Sequence, residues 1–345
     1  MKKRPWLLPF SLLYGSVMAV RNFLYDAGLF SSTSFEKPVI LVGNLSTGGT
    51  GKSPHVAYLV EMLRSQYKVA TLSRGYGRKT KGFIAATSGS SAYELGDEPM
   101  MYHLRFAEVQ VFVGENRAAA LERIFNGSEI PDVVVMDDGF QHRSVDTSLK
   151  IILTTYQDPF TVDYLLPAGG LREPKSGYWR ADCIIVTGCP DAMEESEMQD
   201  WLASIKPLPH QRVFFSKMVY GDAVSFGGLP MESNRAFTNT VAFAGIANPA
   251  AFFKHVASLS ETSNNISYPD HHDFQRQELL RMVADTTNQT TFVTTEKDYV
   301  RLKSNGLLEV FQQSRACYIP ITIQLNDALA FEKLIAEHLQ AYQAS

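Results

Sequence analysis

Cysteine is scarce: Cys183, Cys189 and Cys317 are the only three in 345 residues. An odd, widely spaced set supports neither a disulfide framework nor a thiolate metal centre, so a reducing cytoplasm with the thiols as core filler is expected. Basic charge is also short, since 32 Lys and Arg against 36 Asp and Glu leave a formal charge of −4. No long basic stripe lies beyond the N-terminus, so no nucleic-acid partner is expected and any polyanion must be met locally. An apolar run long enough to span a bilayer comfortably is missing too. Lys2-Lys3-Arg4 precede an apolar stretch from Trp6 to Val20 that Pro9 and Gly15 interrupt. It has no small-residue cleavage site, which excludes a secretory signal. What remains is a helix packed as ordinary core or one lying in the membrane interface. Trp6, Phe10, Tyr14, Phe23 and Tyr25 favour the interface, because amphipathic rings sit well at headgroup depth.

With 45% hydrophobic residues, the chain has enough apolar material for a sizeable core, and its length suggests two domains. The central stretch is residues 39–53, Val-Ile-Leu-Val-Gly-Asn-Leu-Ser-Thr-Gly-Gly-Thr-Gly-Lys-Ser. Four consecutive apolar residues predict a strand buried on both faces. Gly48, Gly49 and Gly51 let successive amides converge, and Lys52 and Ser53 open a helix whose N-terminus favours anions. This reads as a phosphate cradle, Thr47 to Ser53, with Lys52 on the β- and γ-phosphates and the Ser53 hydroxyl on Mg²⁺. The strict pattern has glycine where Ser46 stands. A glycine-rich turn with an incidental lysine is the bland alternative.

Hydrophobic spacing predicts further strands at 69–72, 109–113, 133–136 and 151–153, with helices at 55–66, 99–106 and 116–125. A second series has strands at 184–186, 213–215, 241–243, 292–294 and 317–321, with helices at 194–205, 249–259, 276–285 and 328–342. The expected fold class is α/β: a P-loop-containing open parallel sheet domain, a second, smaller α/β domain and an N-terminal membrane-associated helix. The Gly- and Pro-containing passage 159–178 suggests the division: 1–29 as the membrane-interface segment, 30–153 as the P-loop domain, and 154–325 as the second domain with hinge and lid. A C-terminal helix, 326–345, is a candidate completion of the P-loop domain.

Several motifs fall at strand ends on one rim, where open α/β sheets bind ligands. Asp137 and Asp138 end an apolar strand, and two adjacent carboxylates call for a metal or Lys52 beside them. Asp97 and Glu98 lie at a turn before a helix, where the dipole favours acids; the bland reading is capping by Asp97, the functional one a base at Asp97 and a metal ligand at Glu98. Residues 73–78 and 114–117 place Arg74, Tyr76, Arg78, Asn116 and Arg117 in two loops that form a candidate acceptor pocket or a solvated rim. Residues 165–174 could close over a nucleotide with Arg172 and Glu173 inward, or simply link. His271 and His272 sit in a turn, and Thr295 in 294–298 reads as a helix cap.

Taken in order, 43–45 with 48–53, 73–78, 96–99, 137–142, 171–174, 270–271 and 295–298 closely resemble the tetraacyldisaccharide 4′-kinase family of lipid A biosynthesis, from the N-terminus to about residue 302. The resemblance implies ATP-dependent phosphorylation of the 4′-hydroxyl of a tetraacylated disaccharide 1-phosphate lipid, giving lipid IVA, with ATP and Mg²⁺ as cofactors. It also implies peripheral attachment to the cytoplasmic face of the bacterial inner membrane; a monomer is expected. Carried over by motif, Lys52 and Ser53 hold phosphate and metal, and Glu98 with Asp137 or Asp138 completes the metal site. Asp97 is the base, with His271 its partner and His272 the competing choice. Arg74, Tyr76, Arg78, Asn116, Arg117 and His142 are the substrate-side candidates. The competing class is a P-loop GTPase or metallochaperone switch with no small-molecule acceptor. Against it, the lysine of 295–298 lies one place late for guanine recognition.

Overall fold

The computed structural model describes residues 3–231, 237–286 and 289–344, so Met1, Lys2 and Ser345 of the expected terminal segments lie outside the described residues. Its centre is a nine-stranded sheet ordered β14-β8-β7-β6-β1-β5-β2-β4-β3. The strands are β1 (Val39–Asn44), β2 (Val69–Ser73), β3 (Ile84–Ala85), β4 (Gln110–Val113), β5 (Val133–Asp137), β6 (Leu149–Thr155), β7 (Cys183–Thr187), β8 (Arg212–Tyr220) and, late in the chain, β14 (Ile321–Leu325). Seven run parallel, and β3 and β14 are antiparallel at the edges. β1 is buried throughout, as a strand covered on both faces must be. β5 pairs with β1 in a register that sets Val42 beside Asp137, which brings the acidic strand end next to the glycine loop.

Helices cover both faces. On one, α2 (Lys52–Leu63), α4 (Asp97–Arg105) and the C-terminal α10 (Ala328–Ala344) pack Val56, Leu59, Tyr102, Phe331, Ile335 and Leu339 against the sheet. On the other, α5 (Arg117–Phe125) and α6 (Glu195–Ile205) add Leu121, Ile124 and Ile205. A one-turn α3 (Ala92–Leu95) precedes α4.

The chain leaves this sheet after β8 and builds a second, β11-β10-β12-β13-β9, from β9 (Val224–Ser225), β10 (Phe237–Ala244), β11 (Ser260–Ser267), β12 (Thr290–Thr295) and β13 (Arg315–Ile319). Its helices are α7 (Ala250–Ser258), α8 (Arg276–Ala284) and α9 (Glu296–Ser304). The outgoing and returning chains lie together, the Gly221 amide donating to the Pro320 carbonyl at 2.9 Å.

Sheet membership therefore corrects the expected division at 154–325. β7 and β8 continue the large sheet, Ile151 lying beside Cys183, and the second sheet starts only past residue 220. The Gly- and Pro-containing passage that suggested a boundary is a loop over the rim, where the Thr47 amide donates to the Gly170 carbonyl at 2.7 Å. The single strand expected over 317–321 is two strands in different sheets, because Pro320 offers no amide to continue a ladder. β11, Ser-Glu-Thr-Ser-Asn-Asn-Ile-Ser, escaped the sequence pattern because it is a largely exposed edge without an apolar face.

The N-terminal helix also differs from expectation. α1 (Leu8–Asp26) is unbroken: Pro9 falls in its first turn, where no amide partner is lost, and Gly15 lies against Leu165. The stretch Pro5–Asp26 is long and apolar enough to cross a membrane, and only 6% of its apolar window is buried. Trp6, Phe10, Leu12, Leu13, Val17, Val20 and Phe23 are all exposed.

Candidate active site

The glycine loop joins β1 to α2. Gly51 has φ +78°, a left-handed conformation that costs a side-chain-bearing residue energy, and it caps α2 where the amides point outward. Two carbonyls of the loop are held from the sheet side. The Thr187 hydroxyl donates to the Thr50 carbonyl at 3.0 Å, and the His55 Nδ1–H donates to that of Gly51 at 2.7 Å. The other ring nitrogen of His55 must then accept, and the Ser216 hydroxyl supplies the proton at 2.9 Å. Burial pushes His55 down to about 4 and keeps it neutral. In a trans peptide the next amide points opposite its carbonyl, so these grips turn the amides of Gly51 and Lys52 outward.

Lys52 reaches Asn44 Oδ1 at 3.3 Å and Asp138 at 3.6 Å. Arg172 forks onto both oxygens of Asp138 at 2.8 and 3.3 Å and also donates to Asn44. Burial opposes ionisation of Asp138, but Arg172 and Lys52 outweigh it and hold the carboxyl below its usual range. Asp137 is the reverse case: burial, then the charge of Glu98, raises it to about 7. Tyr102 donates to its Oδ2 at 2.9 Å, while Oδ1 is buried without a partner. Ser53 donates to Glu98 at 2.5 Å, and Lys297 reaches the same oxygen at 2.7 Å. Glu98 is held low by Lys297 and Ser53 against the opposing effect of burial.

Glu98 is preceded by Asp97, which opens α4 after Gly96, φ +93°. A side chain at Gly96 would strike the Tyr76 carbonyl at 2.7 Å, so glycine is what lets this turn press on the 73–78 loop. Asp97 Oδ2 accepts from His271 Nδ1 at 2.9 Å and from Arg301 Nε at 2.8 Å. Burial raises its carboxyl, and these two partners more than reverse that; the same hydrogen bond raises His271. His272 faces elsewhere, bonding Glu278 at 2.8 Å and stacking on Tyr268. The left-handed φ of +58° at His271 separates the two neighbours.

Several expected site residues are engaged differently. Glu173 is buried and pairs with Arg180 and Gln141, which engages both of its oxygens within the protein. Asn116 is exposed, and its side chain accepts from the Ala119 amide at 3.2 Å and caps α5. Arg78 is tied through Nη2 to Glu115 and the Gly82 carbonyl, its side chain only 3% exposed, while its Nε and Nη1 are buried without a partner. Arg117 is buried and donates to the Gly114 carbonyl; burial lowers it to about 10, and its Nε and Nη2 have no partner. Arg74 and Tyr76 are exposed, Tyr76 with its ring 5.9 Å from that of His271. His142, held near 4 by burial and then by Arg117 and Arg74, lines a cavity of about 220 Å³ with Phe140, Arg143, Trp179 and Arg180.

Sequence reasoning missed Arg301 and gave Lys297 no role beyond a capping motif. The Thr295 cap is present, accepting from the Asp298 amide at 3.2 Å. The overlooked signal was charge spacing: Lys297 and Arg301, four apart, lie on one helix face opposite the adjacent acids Asp97 and Glu98. Their engagement there, with Asp298 buried against Arg301, also leaves no guanine-reading Lys-x-Asp arrangement at 295–298.

Residues 3–340 match the family model described as Tetraacyldisaccharide-1-P 4'-kinase. The tetraacyldisaccharide 4'-kinase of Porphyromonas gingivalis is 39% identical over 329 residues, covering 93% of this chain and 92% of that one. The corresponding kinase of Flavobacterium johnsoniae is 38% identical over 343 residues, 98% and 97% of the two chains. Among solved structures, LpxK from Aquifex aeolicus in complex with ATP superposes with TM-score 0.76 at 29% identity, across 97% of this chain and 99% of that one. Matches of this length and identity assign the chain to the tetraacyldisaccharide-1-P 4'-kinase family, as an enzyme of that kinase class.

Proposed function

We propose that this protein transfers the γ-phosphate of ATP to the 4′-hydroxyl of a tetraacylated disaccharide 1-phosphate lipid, forming lipid IVA, with Asp97 as the base and His271 as its partner. One observation carries the reading. Consecutive residues join the two halves of the chemistry: Glu98 is bonded to Ser53 of the phosphate loop, and Asp97 to His271 from the second sheet.

The amides of residues 48–53 and the Lys52 ammonium bind the terminal phosphates, and Arg172 stands beside them. The 4′-oxygen attacks the γ-phosphorus, the bond to the β–γ bridging oxygen breaks, and ADP departs. Asp97, kept ionised by Arg301 and His271, takes the hydroxyl proton and shares it with His271. The residues fit a divalent cation. All four candidates, Ser53, Glu98, Asp137 and Asp138, offer oxygen, and the buried, unpartnered Asp137 Oδ1 has the chemistry of a hard-cation ligand. Mg²⁺ held there would neutralise charge developing on the phosphates. Among the described residues no trio of His, Cys, Asp or Glu is assembled as a metal cluster.

The exposed apolar side of α1 supports attachment to the cytoplasmic surface of the inner membrane. The same helix touches the loop at the site, Tyr14 donating to the Arg172 carbonyl at 2.6 Å and Ser11 to that of Leu165 at 2.9 Å. Replacing Phe10, Leu13 and Val17 by serine should abolish sedimentation with anionic phospholipid vesicles; unchanged sedimentation removes α1 as the anchor.

The decisive test incubates the purified chain with γ-labelled ATP, Mg²⁺ and the tetraacylated disaccharide 1-phosphate. Label on the sugar is expected. Equal turnover of GTP and ATP, independent of lipid and with no sugar label, would favour the switch reading instead.

A further inference from the structure

The cleft between the two sheets holds a cation that the mechanism above uses only as a counter-charge. Arg301 lies on α9, and its guanidinium is almost wholly buried. Nη1 donates to the Gly245 carbonyl at 2.8 Å and to Asp298 Oδ1 at 2.7 Å. Asp298 is itself fixed by the Thr295 hydroxyl at 2.7 Å and the Gly245 amide at 3.0 Å. The far side of the same fork crosses the cleft: Nε and Nη2 each stand 2.8 Å from Asp97 Oδ2, and Nη2 lies 3.2 Å from His271 Nδ1.

Asp298 already balances the charge of Arg301, so burying that guanidinium does not require Asp97. All the described contacts of Asp97 converge on one oxygen, Oδ2, and leave Oδ1 free. A carboxylate held by one oxygen from a rigid fork cannot swing about its χ2, and the free oxygen has a fixed direction. We propose that Arg301 is a positioning residue for phosphoryl transfer: by clamping Oδ2 of Asp97, the oxygen that accepts from His271 Nδ1, it aims Oδ1 at the acceptor hydroxyl. The assignment rests on Asp97 being the base.

The experiment uses the full chain with γ-labelled ATP, Mg²⁺ and the acylated disaccharide 1-phosphate, comparing R301Q, R301K, D97A and the double variant R301Q/D97A. R301Q should lower kcat roughly 10- to 100-fold, the scale of a misaimed reacting group, with KM for ATP within about twofold because residues 47–53 are untouched. R301K should recover at least about threefold of that loss, since an ammonium can hold Asp97 but cannot span both carboxylates. In the D97A background the R301Q change should cost less than about threefold more, because both act through one carboxylate. A cleft staple with no catalytic part would multiply its loss onto D97A and raise both KM values.

Parental kcat in R301Q, or full additivity with D97A, overturns the proposal. If R301Q does not fold by circular dichroism, D298N carries the same test: a kcat loss that vanishes in the D97A background supports the clamp, and parental kcat overturns it. A D97A protein with the parental rate overturns the base assignment along with this inference, whereas slow D97A beside fast R301Q overturns this inference alone.

Discussion

The two sides of the cleft are built in different ways. The phosphate side comes from neighbouring strands of one sheet, β1 and β5, and the turns that leave them. Its loop is gripped by Thr187 of β7 and by His55 of α2, whose ring is held in turn by Ser216 of β8. The base side is assembled from three distant segments: Asp97 on the large sheet's α4, His271 after β11, and Arg301 on α9. Apart from Lys297 on Glu98, the first half is held by the large sheet and its own helices and loops, whereas the second half needs residues from both sheets. Such a division lets nucleotide binding and base assembly be lost separately, and substitutions should reveal that.

The largest effect is expected on the phosphate side. Lys52→Ala removes the loop's own ammonium and should cut phosphate transfer more than roughly 10³-fold and weaken ATP binding, because this chemistry rests on charge stabilisation. Retained activity would end the loop assignment. Next, Asp97→Ala should cost roughly 10²- to 10⁴-fold in kcat and leave ATP affinity, measured by calorimetry, unchanged. A loss under about threefold would reduce Asp97 to a first-turn acid and erase the contrast between the halves.

A third prediction concerns how the loop is held. His55 is lowered to about 4 in the folded chain from an ordinary 6.5, so the unfolded state binds its proton first. Its contribution to the pH dependence is therefore neutral above pH 6.5, with stability lost progressively as pH falls from 6.5 towards 4. The loss amounts to about 3 kcal/mol at pH 4 for so deeply buried a ring. His142 acts in the same direction. Urea unfolding of His55→Gln across this window should show a shallower slope than the parent; an identical slope would mean that the His55 ring is not what ties the loop to proton activity.

The contrast between the halves is also a contrast in legibility. Residues 39–53 and 133–138 could be read because an apolar strand, a glycine loop and a pair of acids follow one another within short spans of chain. Parallel pairing that skips along the chain carries no such local mark. β7 and β8 looked like a new domain because the loop before them is rich in Gly and Pro, although they extend the first sheet. His271 and His272 were equivalent as letters; a left-handed backbone and a stacked Tyr268 distinguish them, and neither is visible in sequence. Arg301 was legible only as a charge four residues beyond Lys297, and its meaning required knowing that α9 faces α4. Family resemblance supplied roles for motifs, but it could not say that Glu173 turns to Arg180 or that Arg78 pairs with Glu115.

The smallest effect tests that last kind of distinction. Asn116 has a loop position shared with substrate candidates, yet its side chain accepts the Ala119 amide at the start of α5. An Ala there leaves that amide unsatisfied at a helix N-terminus and should cost about 1 kcal/mol of stability, with kcat/KM for the lipid within about twofold. Its neighbour Arg117 has two guanidinium nitrogens without partners, close to Asp137 and Asp138, and belongs electrostatically to the phosphate side. If Asn116→Ala instead preserves thermal stability and raises KM for the acylated disaccharide, the capping interaction is not the side chain's main contribution. The rim after β4 would then belong to acceptor binding, and the contrast between the phosphate side and the base side would have to include it.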